Sequence, residues 1–73
     1  MAVRKTSVDL DAETFEDVRD LMRITRQSRG KIYKDMQANL LVRPIKLGRK
    51  SVWLRSQRVE YMKKLIMASE ERA

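Results

Sequence analysis

The chain has no cysteine and no histidine, and its 73 residues include one proline, one tryptophan and two glycines. These absences exclude a disulfide, a thiolate or imidazole zinc site and a nucleophile paired with histidine. No stretch approaches the ~18 apolar residues that a membrane-spanning helix needs. A chain of this length fills only one core. The composition therefore predicts a single small cytoplasmic domain that is not an enzyme, carries no metal or cofactor and has no membrane partner.

Positive charge is concentrated in the middle of the chain. The net charge is +7, and residues 21–58 hold eleven lysines and arginines against one carboxylate, Asp35. Mutual repulsion in such a block opposes compaction unless a polyanion binds and releases its counterions. A merely solvated surface or an anionic membrane surface would be alternative explanations. The segregation of charge favours nucleic acid as the partner.

Two helices are predicted in the first half of the chain. Apolar residues at helical spacing predict the first helix over residues 12–25, capped by Asp9 or Asp11 and carrying the acidic cluster of residues 9–20 on a solvated face. Ser28 is placed to cap a second helix from Arg29 to about Asn39, because a serine hydroxyl can accept from the first free backbone N–H groups. Asn39 tolerates the left-handed conformation that ends many helices.

A β-hairpin and a last helix are predicted in the second half. Pro44 excludes helix, and the following aliphatic residues alternate with polar ones around a turn formed by Gly48, Arg49 and Lys50. The residues predicted to face the core are Ile45, Leu47, Val52 and Leu54, which leaves Trp53 outward. Ser56 is the predicted cap of a helix over residues 57–69. The residues predicted to form its buried stripe are Val59, Met62, Leu65 and Ile66.

This order of elements predicts a mainly α fold with a β-hairpin, of the winged helix-turn-helix class. Because an isolated hairpin is marginal in water, its aliphatic side must lie on the helices and its cationic side must point outward. A ribbon-helix-helix dimer is the alternative, with residues 5–10 as the ribbon. In that alternative, residues 43–66 would have no assigned part.

The candidate DNA-binding residues lie on the second helix and the hairpin. A helix-turn-helix places the start of its second helix in the major groove, and the residues predicted to lie there are Ser28, Arg29, Gly30, Lys31 and Lys34. Arg29 is the candidate base reader, since a guanidinium can bond guanine through two hydrogen bonds. The residues predicted to contact DNA from the wing are Arg43, Lys46, Arg49, Lys50 and Arg55. Arg49, at the wing tip, is the candidate for insertion into the minor groove.

Two motifs resemble the AlpA family of phage and genomic-island regulators, close to the MerR-like excisionases. The segment SRGKIYKDM is similar to the family pattern Ser-Arg-Ser-x-Ile-Tyr-x-x-Met, and RPIKLGRKSV is similar to Arg-Pro-x-Lys-Leu-Gly-x-Arg-x-Val. The chain departs from the family at Arg26 and Gln27, where the family has Gly-Leu, and at Asn39, where it has Gly. The family tryptophan aligns with Leu54, one position after Trp53.

The resemblance implies a bacterial DNA-binding protein associated with the nucleoid. It would act as an excisionase, or recombination directionality factor, that binds and bends an attachment site to assist an integrase. Because so small a domain has a limited footprint and limited affinity, neighbouring copies are expected to bind side by side on the DNA. Regulation of an integrase or phage gene by an AlpA-like transcription factor is an alternative. An antitoxin or anti-repressor that acts through protein contacts is an alternative of another class.

Overall fold

A computed structural model describes residues 10–72 of the chain. The elements are a 3-10 turn (Leu10–Ala12), strand β1 (Phe15–Glu16), helix α1 (Val18–Thr25), helix α2 (Arg29–Gln37), strand β2 (Ile45–Leu47), strand β3 (Lys50–Leu54) and helix α3 (Arg55–Arg72). The strands form one antiparallel sheet in the order β1-β3-β2. Within residues 10–72 the fold is therefore a small α+β domain with three helices and a three-stranded sheet. The predicted hairpin is confirmed, and β1 is an addition to it.

The first helix starts later than its apolar pattern predicts. Phe15 and Glu16 pair with Leu54 and Trp53 of β3, and α1 begins only after Asp17. Asp17 and Asp20 form a capping box, in which each carboxylate accepts the backbone N–H of the other at 3.0 Å. The prediction of residues 12–25 as one helix was wrong because this cap and the pairing with β3 outweigh the helical spacing.

The predicted caps differ in their outcomes. Asp9, one of the two predicted caps of α1, lies outside the described residues, as do residues 5–9 of the alternative ribbon. Asp11 belongs to the 3-10 turn and does not cap α1. Ser28 caps α2 as predicted, since its side chain accepts the N–H of Lys31 at 3.2 Å. Asn39 has φ 65°, which confirms the predicted left-handed conformation, although α2 itself ends at Gln37.

Strand β3 is the central strand of the sheet and is buried on both faces. Val52 is 5% exposed and its neighbour Trp53 only 1% exposed, although successive side chains point to opposite sides of a strand. The predicted outward position of Trp53 was therefore wrong. The indole Nε1 of Trp53 donates to the carbonyl of Val42 at 2.8 Å, which satisfies its polar atom inside the core. Leu47, predicted to face inward, is 43% exposed near the tip of the hairpin.

The core joins all three helices to β3. Its buried members are Leu21, Ile32, Leu41, Trp53 and Tyr61. Partly buried side chains, among them Met22, Met36 and Leu65, pack around them. The core thus packs one side of α2 against α1 and leaves its remaining side exposed.

Helix α3 follows β3 without a linker, and its buried face differs from the prediction. Ser56 lies inside the helix and does not cap it. Its backbone N–H instead donates to Oε1 of Glu13 at 3.0 Å, and hydrogen bonding by Ser56 lowers the pKa of the Glu13 carboxyl. Among the side chains of residues 55–71, Tyr61 is the buried one at 1% exposure, whereas Ile66 is 57% exposed. The predicted stripe was therefore wrong at Ile66 and did not include Tyr61.

An ion pair ties β1 to α3. The guanidinium of Arg58 donates from Nε to Oε1 of Glu16 at 2.9 Å and from Nη2 to Oε2 at 2.8 Å, and both side chains are largely buried. The bonds from Glu16 raise the pKa of Arg58. The acidic cluster is therefore not simply a solvated helix face, as predicted, because one of its carboxylates is a structural partner of α3.

Candidate nucleic-acid interface

Helices α1 and α2 are joined by a tight turn of three residues, 26–28. Arg26 has φ 58° and ψ 40°, and its backbone N–H bonds to the carbonyl of Met22, which ends α1 with a left-handed residue. Ser28 is extended and begins α2. The chain thus builds the turn with arginine at the left-handed position.

The exposed side of α2 carries the cations predicted for the major groove. Arg29, Gly30, Lys31 and Lys34 are all exposed, as is Ser28, which precedes them. Lys31 differs from the other two cations because its Nζ lies 2.7 and 2.8 Å from the two carboxylate oxygens of Asp35. Arg29 and Lys34 form no ion pair within the part of the chain that the structure describes. Their charges are therefore fully available to a ligand, whereas the charge of Lys31 is shared.

The partner of Lys31 belongs to a buried network that sequence reasoning missed. Asp35 is 4% exposed, and its carboxylate accepts a hydrogen bond from the hydroxyl of Tyr61 at 2.6 Å. Gln27, in the turn, donates from Nε2 to that same hydroxyl at 2.6 Å. Burial, and then the bond to Asp35, raise the pKa of Tyr61. The network links the turn, α2 and α3, so it holds α2 on the core.

A signal for this network is present in the sequence. Asp35 is the single carboxylate within the cationic block and lies four residues after Lys31, which is the spacing of an ion pair on a helix. An isolated carboxylate in such a block is expected to be paired. What the pattern could not provide is the second partner, because Tyr61 lies 26 residues further along the chain.

Packing against neighbouring residues does not require a glycine at position 30. A Cβ built at Gly30 would have no atom within 4 Å, and its φ is not in the left-handed region. The neighbouring core therefore does not explain a glycine at this exposed position of α2. Close approach of the helix to a ligand would explain it.

The hairpin presents its cations at and near its tip. Leu47 pairs with Lys50, so the turn consists of Gly48 and Arg49 alone, and Gly48 has φ 61°. The predicted three-residue turn was therefore one residue too long, since Lys50 begins β3. Arg49 and Lys50 are exposed, and Lys46 donates to Oγ of Ser51 at 3.2 Å. This two-residue connection is a common form of tight hairpin and leaves Arg49 at the tip.

The other two predicted wing residues lie outside the hairpin. Arg43 precedes β2 and lines a shallow cleft with Tyr33, Met36 and Gln37, which brings it beside α2. Arg55 is exposed but is the first residue of α3. The structure thus places Arg43 beside the second half of α2 and separates Arg55 from the hairpin tip.

The exposed surface of residues 21–58 carries charge of one sign. Of the eleven cations in this segment, Arg23, Lys31 and the largely buried Arg58 form ion pairs, and within residues 10–72 the other eight form none. Its one carboxylate, Asp35, is buried. The cations without ion pairs are Arg26, Arg29, Lys34, Arg43, Lys46, Arg49, Lys50 and Arg55. Such a surface attracts a polyanion over the distance of a Debye length, about 10 Å at 0.1 M salt.

The described residues show neither a metal cluster nor a membrane span. Residues 10–72 contain no group of three or more acidic side chains that could hold a metal ion. Over the same range, no helix combines the length and the apolar character that crossing a bilayer requires.

Comparisons of the chain with protein-family models, with curated proteins and with solved structures found no match.

Proposed function

We propose that this protein binds double-stranded DNA as a winged helix-turn-helix domain. Helix α2 enters the major groove, and the β2–β3 hairpin contacts the adjacent minor groove as a wing. The observation that carries the proposal is that residues 21–58 expose cations and no carboxylate, since Asp35 is buried. A surface that was only solvated would have no reason to segregate its charges in this way.

In this proposal the start of α2 makes the central contacts. The first backbone N–H groups of a helix have no intrahelical partner, and together with the helix dipole they attract a phosphate. Arg29, exposed and free of an ion pair, is the candidate for reading a guanine. Lys34 contacts phosphate. Lys31 contributes less than a free lysine, because reaching a phosphate would cost it the bond to Asp35.

The wing contributes affinity that depends on salt. Arg49 stands at the hairpin tip, where an arginine can enter a narrow minor groove, and Lys50 lies beside it on a flanking phosphate. Each cation that neutralises a phosphate releases about one condensed counterion. The wing therefore adds about two counterions to the salt dependence of binding.

The test is binding to a labelled duplex over a range of salt concentrations, measured by fluorescence anisotropy. Arg49→Ala combined with Lys50→Ala should weaken binding and lower the slope of log K against log salt by about two. The matched control is Arg19→Ala with Lys64→Ala, which also removes one arginine and one lysine, at exposed positions outside residues 21–58. An unchanged slope in the hairpin variant, or an equal loss in the control, would remove the wing from the contact surface.

The biological role that we propose is excision directionality, and it rests on the resemblance to the AlpA family and the excisionases. Copies that bind neighbouring sites would bend an attachment site and bring distant integrase sites together. Footprinting on the DNA that flanks the gene tests this role. Protection within an attachment site supports it, whereas protection over a promoter alone would support transcription control instead.

A further inference from the structure

The outer side of α3 carries apolar residues that the core does not use. Ile66 and Met67 are 57% and 60% exposed. Two helical turns before Ile66, Val59 lies on the same side of the helix and lines a shallow groove with Val42, which is itself 48% exposed. In a chain with 37% charged residues, a long helix therefore presents an apolar strip to the surface.

The charges at the two ends of this strip have opposite signs. Arg55 is exposed at the first position of α3, and Glu70 and Glu71 are exposed in its last turn. Carboxylates at the C-terminal end of a helix face the negative end of its dipole, which is unfavourable for an isolated helix. A neighbouring helix that runs in the opposite direction would place its own N-terminal cation beside these carboxylates.

We propose that a second copy of this chain docks on this face, with the two α3 helices antiparallel about a twofold axis near Met62 and Lys63. The register that sets Val59 of one copy opposite Ile66 of the other also sets Arg55 opposite Glu70. This follows because Arg55 lies four residues before Val59 and Glu70 four residues after Ile66. A twofold axis makes each pair occur twice, so the face is complementary to itself.

The groove and the central lysine fit this arrangement. The end of the strip with Ile66 and Met67 covers the groove between Val42 and Val59 of the other copy, and the reverse contact is made at the same time. Lys63, near the axis, has its charge balanced within its own chain by Glu60, whose Oε2 lies 3.2 Å from Nζ. The two Lys63 side chains that meet near the axis therefore repel each other less than two unpaired lysines would.

Because few apolar side chains lie on this face, we expect a small contact and reversible association. Interfaces below about 1,200 Å² belong to weak or transient complexes, so we expect a dissociation constant of about 10 to 1,000 µM. This dimer does not depend on the proposed DNA binding, and it can be tested without nucleic acid.

The first test is sedimentation equilibrium of the full chain without DNA, from about 10 µM to about 1 mM. Ile66→Asp should weaken dimerisation at least tenfold, since it buries a charge opposite Val59. Leu47→Asp is the matched control, because Leu47 is also an exposed aliphatic residue but lies on β2, and it should leave association unchanged. Circular dichroism checks that both variants remain folded. A wild-type chain that stays monomeric throughout, or an Ile66→Asp variant that dimerises normally, would overturn the proposal.

A charge exchange tests the register. In a dimer of the Arg55→Glu variant, the new carboxylate lies opposite Glu70 of the other copy and repels it. In a dimer of the Glu70→Lys, Glu71→Lys variant, the new ammonium groups lie opposite Arg55 of the other copy and repel it. Mixing the two variants forms a heterodimer in which both charge pairs are again attractive. We expect each variant alone to associate about tenfold more weakly than the mixture. If the mixture associates no better than its components, the antiparallel register is wrong.

Discussion

Replacing Tyr61 by phenylalanine would remove the hydroxyl that joins the turn, α2 and α3. That hydroxyl donates to the buried carboxylate of Asp35 and accepts from the amide of Gln27, each at 2.6 Å. A hydrogen bond to a charged group contributes about 1.5–3 kcal/mol, and the Gln27 amide already donates to the hydroxyl of Thr25 at 3.4 Å, so it is not left without a partner. We therefore expect Tyr61→Phe to lower the free energy of unfolding by about 2–3 kcal/mol, with the ring still filling the core.

Urea denaturation measures this loss directly. Trp53 is the only tryptophan and is buried, so its fluorescence reports loss of the core. With a slope of about 1 kcal/mol per M urea for a domain of this size, the unfolding midpoint should fall by about 2–3 M. Tyr33→Phe is the matched control, because Tyr33 is 39% exposed. A Tyr61→Phe variant as stable as Tyr33→Phe would refute the importance of the network.

The same substitution has a predicted signature at alkaline pH. The pKa of Tyr61 is raised above its unfolded value of about 10, mainly by burial, so the unfolded chain releases the proton first as the pH rises. The stability linked to this tyrosine is thus fully present below about pH 10 and is lost as the pH rises through the folded pKa. Subtracting the Tyr61→Phe curve from the wild-type curve should isolate this decline, and parallel curves would contradict it.

Two further predictions concern α2 and α1. Gly30→Ala should raise the free energy of unfolding by up to about 1 kcal/mol, because nothing lies within 4 Å of the added Cβ, yet weaken duplex binding if α2 approaches DNA through this position. Thermal unfolding and anisotropy measure the two effects, and unchanged binding would assign Gly30 no role at the interface. The pKa of Asp20 is lowered, first by the backbone N–H of Asp17 and then by Arg23, so its contribution to stability is present above about pH 4 and lost as the pH falls through the folded pKa. Asp20→Asn should flatten that acid decline in urea titrations, and a wild-type decline in the variant would rule out the capping box as its source.

The elements that were predicted correctly depend on interactions between near neighbours in the chain. Ser28 caps α2 with a bond to Lys31, three residues away, and Asn39 adopts a backbone conformation that its own side chain tolerates. The position of Arg49 at the hairpin tip follows in the same way from the glycine before it. The exposed candidate DNA-binding residues of α2 and the hairpin could thus be identified from the sequence, because helix caps and tight turns are determined by residues close together in the chain.

The sequence by itself therefore determined that a helix lies on each side of the turn, although not where the first one begins, and it determined the hairpin and the cationic character of residues 21–58. Only the tertiary structure decided that Phe15 and Glu16 form a strand, that Trp53 is buried and that Tyr61 holds Asp35. The physical reason is distance along the chain, since Glu16 and Arg58 are 42 residues apart. A side chain's burial depends on which distant segments pack against it, and no local pattern contains that information.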